Sequence, residues 1–349
     1  MNDSRRKSID RDAAAYWWLE HGPAREVYFD SAKQAWIISR YADVSAALHE
    51  TGLWLVGPDN KATPAPEERE TQAHNRVETA ARLPAAKVLE WKRAGEQDLS
   101  GMIAALPESG LVDVVGEVAR PFGLALACLV GDIDARDAAK LESLAVTIST
   151  STASPERVEL KALAEKAGKE LDDAFASIKA SPVAQASFVA LSQTLPALLG
   201  NSWLLLLGYP DAMAHLRADS KLIPKAVEEL LRMVGLARVL HRRAIADLEL
   251  GAVKIRTGER VDLLVASANY DPAQFAEPKQ FDLTRKNSGH FALGAGHHSC
   301  AGAALIRMAV SVGTAAFVEN FAPGADNSFI EWIGGSSFRW PKQIWAVRR

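Results

Sequence analysis

Cysteine is scarce in this sequence: of 349 residues only two, Cys128 and Cys300, carry a thiol. Two cysteines do not make the disulfide framework on which small secreted domains depend. Cys128 lies in an apolar run, residues 122–130, where a free thiol behaves as a small hydrophobe. The cysteine content therefore predicts a reducing, cytoplasmic location, and it leaves Cys300 as the thiol that needs an explanation.

An excess of positive charge is also absent. Lysine and arginine number 40 against 43 aspartate and glutamate residues, which gives a formal net charge of −3 and a pI near 6.3. Proteins that bind nucleic acid usually carry a basic surface that neutralises phosphates. The charge balance therefore argues against nucleic acid as a partner and leaves a small-molecule substrate open.

The sequence contains no Pro/Gly/Ser-rich linker, and its amino terminus leads into charged residues, so we expect a single domain without a secretory signal. Charge is missing altogether from Ser181 to Pro210, a stretch long enough to span a membrane. The stretch also holds polar residues together with Pro182 and Pro196, which would be costly facing lipid. We therefore interpret it as a buried central helix and expect no membrane partner.

Local patterns predict a mainly α fold with small β-sheets (α+β). Apolar, aromatic-rich runs on either side of residues 30–34 favour a hairpin, and glycine turns within residues 248–265 indicate further strands. Residues 338–347 favour a last β segment, residues 12–22 a helix, and the proline-rich segment 56–72 a loop. The predicted order within one domain, 1–349, is a β-rich lobe at about 23–60, a helical core at about 70–235, a β-rich meander and cysteine loop at about 236–302, and a helix and β segment at 303–349.

Cys300 stands in a glycine-lined loop, residues 290–302, directly before an apolar helical run. The first N–H groups of a helix are unpaired and the macrodipole is positive there, so both favour thiolate over thiol. Gly294 and Gly302 have no Cβ, which lets the backbone approach a flat macrocycle closely. A thiolate is a soft metal ligand, and the loop therefore predicts a haem-iron site with Cys300 as the axial ligand.

Two other chemistries are conceivable for this loop. His297 and His298 beside Cys300 suggest zinc, but adjacent residues seldom converge on one tetrahedral ion, and no second Cys or His pair stands at ligand spacing. A Cys–His nucleophile needs an orienting third group, which the sequence does not exclude. That alternative leaves unexplained the pattern that precedes the loop.

The preceding pattern begins with Glu229 and Arg232, which lie three residues apart in a helical run that starts near Pro224, so their side chains share one face. An isolated pair of this kind is usually a solvated surface bridge. Here it is followed by the glycine-turn β segment, by residues 269–272 (Asn-Tyr-Asp-Pro), by residues 281–285 (Phe-Asp-Leu-Thr-Arg) and then by the cysteine loop. The order of these features, rather than the pair alone, indicates what kind of protein this is.

This succession resembles the haem-thiolate family of bacterial cytochromes P450, most strongly over residues 198–310. The cysteine loop of the family has the pattern Phe-Gly-x-Gly-x-His-x-Cys-x-Gly, with Leu293 here at the aromatic position. The residues that match are Gly294, Gly296, His298, Cys300 and Gly302. The resemblance implies the cytochrome P450 fold, a triangular helical prism around a buried haem b. It also indicates a short and atypical member, with the loss between Ile178 and Phe188.

The resemblance assigns roles to residues outside the loop. Glu229 and Arg232 are expected to brace the meander, and Gln280 stands where the family has a third, arginine brace, which weakens the ionic part of that network. Buried haem propionates need cationic or hydrogen-bonding partners. By the resemblance these are His74, Arg242 and His298. A further propionate arginine is replaced by Glu78, so Arg76 or Arg82 is expected to substitute for it.

The segment that activates oxygen in the family corresponds here to residues 190–194. The family's threonine is present as Thr194, its acid is replaced by Gln193, and its glycine is absent. Glutamine does not titrate, so it does not serve as a proton-relay acid. Pro196 is expected to kink the helix close to Thr194. In an alternative interpretation Gln193 and Thr194 merely satisfy each other in a core helix.

The resemblance implies a monooxygenase that takes electrons from a ferredoxin or flavoprotein and inserts one oxygen atom into a small organic substrate. The replacement of the acid keeps two alternatives open, a peroxide-using oxygenase and a redox-neutral haem-thiolate isomerase or dehydratase. A haem protein that only binds or senses ligands is a third. Lys87, Lys92 and Arg93 are a candidate cationic patch for an acidic redox protein, although a solvated helix face explains such charges equally simply.

Overall fold

The computed structural model describes residues 24–55, 65–286, 289–327 and 330–349. The expected helix at 12–22 and most of the expected loop at 56–72 lie outside them. The α-helices are α1 (Tyr41–His49), α2 (Pro66–Ala81), α3 (Ala85–Ala104), α4 (Arg120–Gly131), α5 (Ala135–Ala153), α6 (Glu159–Ser177), α7 (Pro182–Val189), α8 (Leu195–Leu207), α9 (Pro210–Ala218), α10 (Ile223–Val234), α11 (Val265–Ala268) and α12 (Ala303–Asn320). Two π-helical turns, Val115–Ala119 and Ala190–Thr194, and two 3₁₀ turns, Ser220–Leu222 and Gly296–His298, complete the helical elements of the described residues.

The strands of the described residues are short, and all but one of them lie before or after the helical region 66–234. They are β1 (Tyr28–Asp30), β2 (Ala35–Ile38), β3 (Leu53–Leu55), β4 (Gly110–Asp113), β5 (Leu240–Ala244), β6 (Leu248–Leu250), β7 (Val253–Ile255), β8 (Arg260–Leu263), β9 (Phe321–Ala322), β10 (Trp332–Gly334), β11 (Arg339–Pro341) and β12 (Trp345–Arg348). The expected hairpin is β1 and β2, which pair antiparallel, and the expected strands near residues 248–265 and 338–347 are confirmed.

The largest sheet has five strands in the order β1-β2-β8-β5-β3. Its β2 pairs parallel with β8, with Ile37 opposite Asp262, and β3 pairs antiparallel with β5, with Leu55 opposite Arg242. The expected β-rich lobe is therefore not formed by residues 23–60 alone, because strands from residues 240–263 complete it. This sheet brings the amino-terminal strands to the segment that carries Arg242.

The central helix, Val183–Leu207, is long and apolar enough to cross a membrane by length and composition. Every residue of α8 within it is buried, and α8 packs against α10 and α12. Trp203 stacks on Phe317 of α12 with a ring-centroid distance of 4.9 Å. The interpretation as a buried core helix is confirmed, since the surface that lipid would contact is covered by other helices.

A π-helical turn interrupts the central helix at Ala190–Thr194. Its hydrogen bond runs from the N–H of Leu195 to the carbonyl of Ala190, five residues earlier. Pro196 lies two residues after this turn and has no N–H to donate to it. The widened turn accommodates the missing hydrogen bond. The expected kink near Thr194 thus takes the form of one widened turn within a continuous helix.

Two local expectations were wrong. Residues 66–72, expected as loop, begin α2, with Pro66 in the first turn and Glu67 and Glu68 beside it, a start favoured by the helix dipole. The strand β4, inside the expected helical core, pairs with β12 near the carboxyl terminus. The expected short turn ahead of the central helix is present, because only residues 178–181 separate α6 from α7. The loss relative to the family stays a prediction.

The helix α4 crosses the π-helical turn at Gly123. A Cβ there would lie 2.7 Å from the carbonyl oxygen of Leu191 and 2.5 Å from Cγ of Pro196. We expect Gly123→Ala to lower the free energy of unfolding by about 1–3 kcal/mol, because overpacking forces the two helices apart. Denaturant unfolding measures this change.

Gly101→Ala is the matched control. Gly101 lies in α3 with no heavy atom within 4 Å of the position of a Cβ. Removing a helical glycine there should stabilise the protein by up to about 1 kcal/mol. If both variants change stability by the same amount and sign, the close crossing of α4 is wrong.

Candidate active site

The cysteine loop is closed by its own backbone. The N–H of Cys300 donates to the carbonyl of Leu293 at 2.8 Å, and the N–H of Gly294 donates to the carbonyl of Phe291 at 2.9 Å. The N–H of Phe291 in turn donates to Oδ1 of Asn269 at 2.8 Å. Leu293, at the position where the family has an aromatic residue, packs its side chain against the main core. These hydrogen bonds fix the backbone position of Cys300 just before α12.

Glycine at position 296 is required by a close approach. Gly296 has φ of +63°, and a Cβ there would collide with the carbonyl oxygen of Leu48 in α1. Gly294 also has positive φ, +68°, and Gly302 directly precedes α12. The loop thus lies against the end of α1, which a larger residue would prevent.

The surroundings of the Cys300 thiol act on its pKa in opposite directions. Burial raises the pKa of this thiol, and the N–H of Gly302 and the charges of Arg76 and Arg307 offset that rise only in part. The lowering by the N–H of Gly302 agrees with the expected effect of the helix start, although burial outweighs it. Coordination to a metal ion deprotonates a thiol outright, so the thiolate form depends on a bound metal.

Cations gather around this thiol. Arg76 Nη2 donates to the carbonyl of Ser299, next to Cys300. Arg242, in β5, is buried, and burial together with the charge of Arg76 lowers its pKa to about 10. Burial, Arg242 and Arg76 lower the pKa of His298 to about 4, so this imidazole is neutral at physiological pH. The cluster consists of two guanidinium groups and one neutral ring beside the cysteine.

The cluster has unused hydrogen-bonding capacity. Within the described ranges, Nε of Arg242 and Nδ1 of His298 are buried without a hydrogen-bond partner. No carboxylate contributes to the pKa of Arg242, since Arg76 is its only electrostatic neighbour of note. Buried cations without an anion are costly. The residues present therefore fit a flat group that carries carboxylates, as haem does, and Trp54 holds the His298 ring edge-on at a centroid distance of 4.6 Å.

The structure resolves which residue of α2 joins the cluster. His74 is 72% exposed and lies 3.7 Å from Glu78, and Arg82 lies 3.6 Å from the same carboxylate. Arg76 is two residues from His74, about 200° around the helix, and so faces the cysteine loop. The assignment of His74 to the haem site stays a prediction. Of the two candidate substitutes, Arg76 contacts Ser299 next to Cys300, whereas Arg82 pairs with Glu78.

The helix α10 holds residues 269–285, the part of the meander that precedes the cysteine loop, through a buried carboxylate. Glu229 and Arg232 are 5% and 2% exposed and form two parallel hydrogen bonds, Oε2 to Nε at 2.8 Å and Oε1 to Nη2 at 2.7 Å. Arg285 Nε approaches the same carboxylate, 3.0 Å from Oε1. One anion is therefore shared by two guanidinium groups, a fork geometry that favours arginine.

The two arginines reach the meander through its carbonyl groups. Arg232 Nη1 donates to the carbonyls of Asn269 and Pro278, each at 2.9 Å, and Arg285 Nη1 donates to that of Ala276 at 2.6 Å. Gln280 takes part through its carbonyl oxygen, 3.3 Å from Nη2 of each arginine. The expectation that Gln280 weakens the ionic network is wrong, because Arg285, five residues later, supplies the third brace.

Gln193 and Thr194 lie in the π-helical turn, both half-buried. Nε2 of Gln193 donates to Oγ of Ser192 at 3.4 Å, and in the described part of the chain no hydrogen bond joins Gln193 to Thr194. The alternative in which the two side chains satisfy each other is therefore not the observed arrangement. On α3, Lys87 pairs with Glu90 and Lys92 with Glu96, so acids within the same helix partner two of the three cations of the candidate patch.

A mostly helical domain with a cysteine in a glycine-lined loop and unpartnered buried donors around it defines the class of haem-thiolate proteins. The family described as Cytochrome P450 matches residues 211–327. The 20-oxo-5-O-mycaminosyltylactone 23-monooxygenase of Streptomyces fradiae is 29% identical over 338 residues, which cover 85% of this chain and 79% of that protein. The chain is thus similar to cytochromes P450 over most of its length, in agreement with the resemblance in the sequence.

Solved structures of cytochromes P450 have a similar fold. The LnmA cytochrome P450 hydroxylase from the leinamycin biosynthetic pathway of Streptomyces atroolivaceus is 26% identical, with a TM-score of 0.74 and 90% of each chain covered. CYP109B1 from Bacillus subtilis, at 24% identity, has a TM-score of 0.79 with 93% of this chain and 95% of that chain covered. The expected fold is confirmed.

The third brace is testable. We expect Arg285→Ala to lower the free energy of unfolding by about 3 kcal/mol, because it leaves the buried Glu229 carboxylate with one guanidinium partner. Gln280→Ala keeps the carbonyl that both arginines use, and we expect a change within about 0.5 kcal/mol. Denaturant unfolding of both variants separates the two assignments, and a larger loss from Gln280→Ala would reverse them.

Proposed function

We propose that the chain binds haem b through Cys300, Arg76, Arg242 and His298, and that it inserts one oxygen atom from dioxygen into a small organic substrate. The observation that supports this most directly is the set of buried donors beside Cys300, with no carboxylate among the described residues to satisfy Arg242. In this proposal the Cys300 sulfur ligates the iron. The guanidinium groups bind the propionates, and His298 lies beside them with an Nδ1 that has no other hydrogen-bond partner among the described residues.

When bound, haem supplies an iron centre whose thiolate ligand supports cleavage of the O–O bond. The chain positions this centre by the brace of Glu229 with Arg232 and Arg285, and by the closed backbone of the cysteine loop. At the π-helical turn, the Thr194 hydroxyl is able to donate and accept a proton. Gln193 offers hydrogen bonds but no titrating proton, so any proton that Thr194 passes on originates from another group or from water.

A peroxide-using oxygenase is the second candidate, and Gln193 is the observation that favours it. Peroxide brings oxygen already reduced, so a site that uses it depends less on a proton-relay acid. The alternative of a redox-neutral isomerase or dehydratase is also based on Gln193. The relatives named as a monooxygenase and as the nocardicin C N-oxygenase of Nocardia uniformis, 27% identical with 92% of both chains covered, favour oxygen transfer.

The dioxygen reaction requires an electron donor, and we propose a ferredoxin or flavoprotein in the cytoplasm. Lys87 and Lys92 are paired, whereas no ion pair of Arg93 occurs among the described residues. A donor that docks at this helix would therefore depend on Arg93 more than on the two lysines. The proposed substrate remains a small molecule without an assigned structure.

The iron ligand is tested by Cys300→Ser. We expect this variant to lose the difference band that carbon monoxide gives with reduced thiolate-ligated haem, because serine oxygen is a harder and weaker ligand. Cys128→Ser, which changes the other cysteine, in α4, should keep the band. If the band survives Cys300→Ser, or if the purified wild-type protein takes up no haem, the proposed function is wrong.

The oxygen-activating turn is tested by Thr194→Ala and Gln193→Glu, with product formed per electron pair consumed as the measurement. We expect Thr194→Ala to lower coupled, dioxygen-dependent turnover by about 10-fold, since a positioned proton donor is worth at least that much. Gln193→Glu, which adds a titrating group, should raise it. Peroxide-driven turnover should change little in either variant, and the reverse pattern would favour the peroxide-using oxygenase.

A further inference from the structure

Glu228 directly precedes the brace residue Glu229 and points to a different part of the chain. Its Oε1 accepts a hydrogen bond from Nε of Arg307 at 2.6 Å, and its Oε2 lies 3.1 Å from Nε2 of His290 and 3.2 Å from Nη2 of Arg307. Successive residues on a helix project about 100° apart. Glu229 therefore contacts the meander, while Glu228 contacts the segments on either side of Cys300.

The two partners of Glu228 flank the cysteine loop. His290 stands at the start of the loop, one residue before Phe291, whose N–H is fixed by Asn269. Arg307 lies in α12, the helix that begins just after Cys300. A single carboxylate of α10 thus contacts both the start of the loop and the helix that follows Cys300.

The hydrogen bonds of His290 define its tautomer. Nδ1 of His290 accepts the N–H of Ala292 at 3.3 Å, so Nε2 is the nitrogen that donates to Glu228. The side chain of His290 is 7% exposed and that of Glu228 is 18% exposed. Burial alone would raise the pKa of Glu228, but the hydrogen bonds from His290 and Arg307 outweigh it and hold the pKa at about 2. The carboxylate is therefore ionised throughout the physiological range.

Glu228 also affects the electrostatics of the cysteine. The positive charge of Arg307 acts on Cys300 and lowers the pKa of its thiol. The Glu228 carboxylate, in contact with Arg307, compensates most of that charge at short range. Without the carboxylate, Arg307 would withdraw electron density from a thiolate at Cys300 more strongly.

We propose that Glu228 is a positioning residue for the Cys300 ligand, which clamps the two ends of the cysteine loop to α10 and compensates the charge of Arg307. The inference rests on the proposed haem-thiolate function. It differs from the role of Glu229, because Glu229 holds residues 269–285 and makes no contact with His290 or Arg307 among its described hydrogen bonds. Outer partners of metal ligands of this kind typically affect metal affinity by 10–100-fold.

The test uses the haem-loaded full chain and three variants. Glu228→Gln keeps the shape and one acceptor oxygen but removes the charge, whereas Glu228→Ala removes both contacts. Glu331→Gln is the matched control, because Glu331 forms an exposed ion pair with Lys342 on a different part of the surface. The measurements are the rate at which haem leaves to an excess of an acceptor protein, the thiolate-ligated fraction in the carbon monoxide difference spectrum, and the reduction potential.

We expect haem loss to accelerate about 10-fold in Glu228→Ala and less in Glu228→Gln. The reduction potential should move in the positive direction in Glu228→Gln, because Arg307 is then uncompensated. Glu331→Gln should match the wild-type protein in all three measurements. Wild-type rates and potential in Glu228→Gln and Glu228→Ala would overturn the proposal while leaving the haem-thiolate function intact, provided that the wild-type protein shows the thiolate band.

A double-mutant cycle keeps the inference testable if Glu228→Ala proves hard to purify. Glu228→Gln should change the rate of haem loss less in the Arg307→Ala background than in the wild-type background, because the part of its effect that acts through Arg307 is then already absent. Additive effects of the two changes would show that they act independently and would contradict the clamp. Absence of the thiolate band in the wild-type protein would instead refute the proposed function itself.

Discussion

The buried carboxylate of Glu229, shared by Arg232 and Arg285, is the interaction on which the geometry of the site depends. Three charged groups removed from water are stable only because their hydrogen bonds are nearly all used, by one another and by carbonyl groups of residues 269–280. That arrangement fixes the meander to α10. Asn269, which the same network holds, in turn fixes the backbone of Phe291 at the start of the cysteine loop. The loop, and with it Cys300, inherits its position from the brace.

Much of the fold could be predicted because its elements have strong local signals. The hairpin β1–β2, the buried central helix and the start of α12 after Cys300 follow from alternation, apolar content and glycine placement. The start of α2 was missed although Pro66 and two following acids were present as a signal. The strand β4 was missed because it pairs with β12, more than two hundred residues away, and no local pattern records such a partner.

The site was harder to predict wherever the choice lay between neighbouring positions. His74 and Arg76 lie on opposite faces of α2, and only the packing of that helix determines that Arg76 faces Ser299. Arg285 was visible in the sequence, but nothing local says that its guanidinium returns to Glu229 across a loop. The same holds for Glu228, whose partners lie 62 and 79 residues further on. Trp54 beside His298 carried no sequence signal, since the contact depends on β3 meeting the cysteine loop.

The parallel pairing of β2 with β8 has a consequence for how the chain acquires this site. Strands 35–38 and 260–263 meet across the whole helical region, and β5, which carries Arg242, is inserted between β8 and β3. Contacts between such distant segments form late, because the entropy of closing a long loop is lost before the contacts are gained. During synthesis the amino-terminal strands therefore wait for residues beyond 260 to leave the ribosome. The five-stranded sheet that carries Arg242 is therefore completed late in folding, and its amino-terminal strands are exposed to misassociation until then.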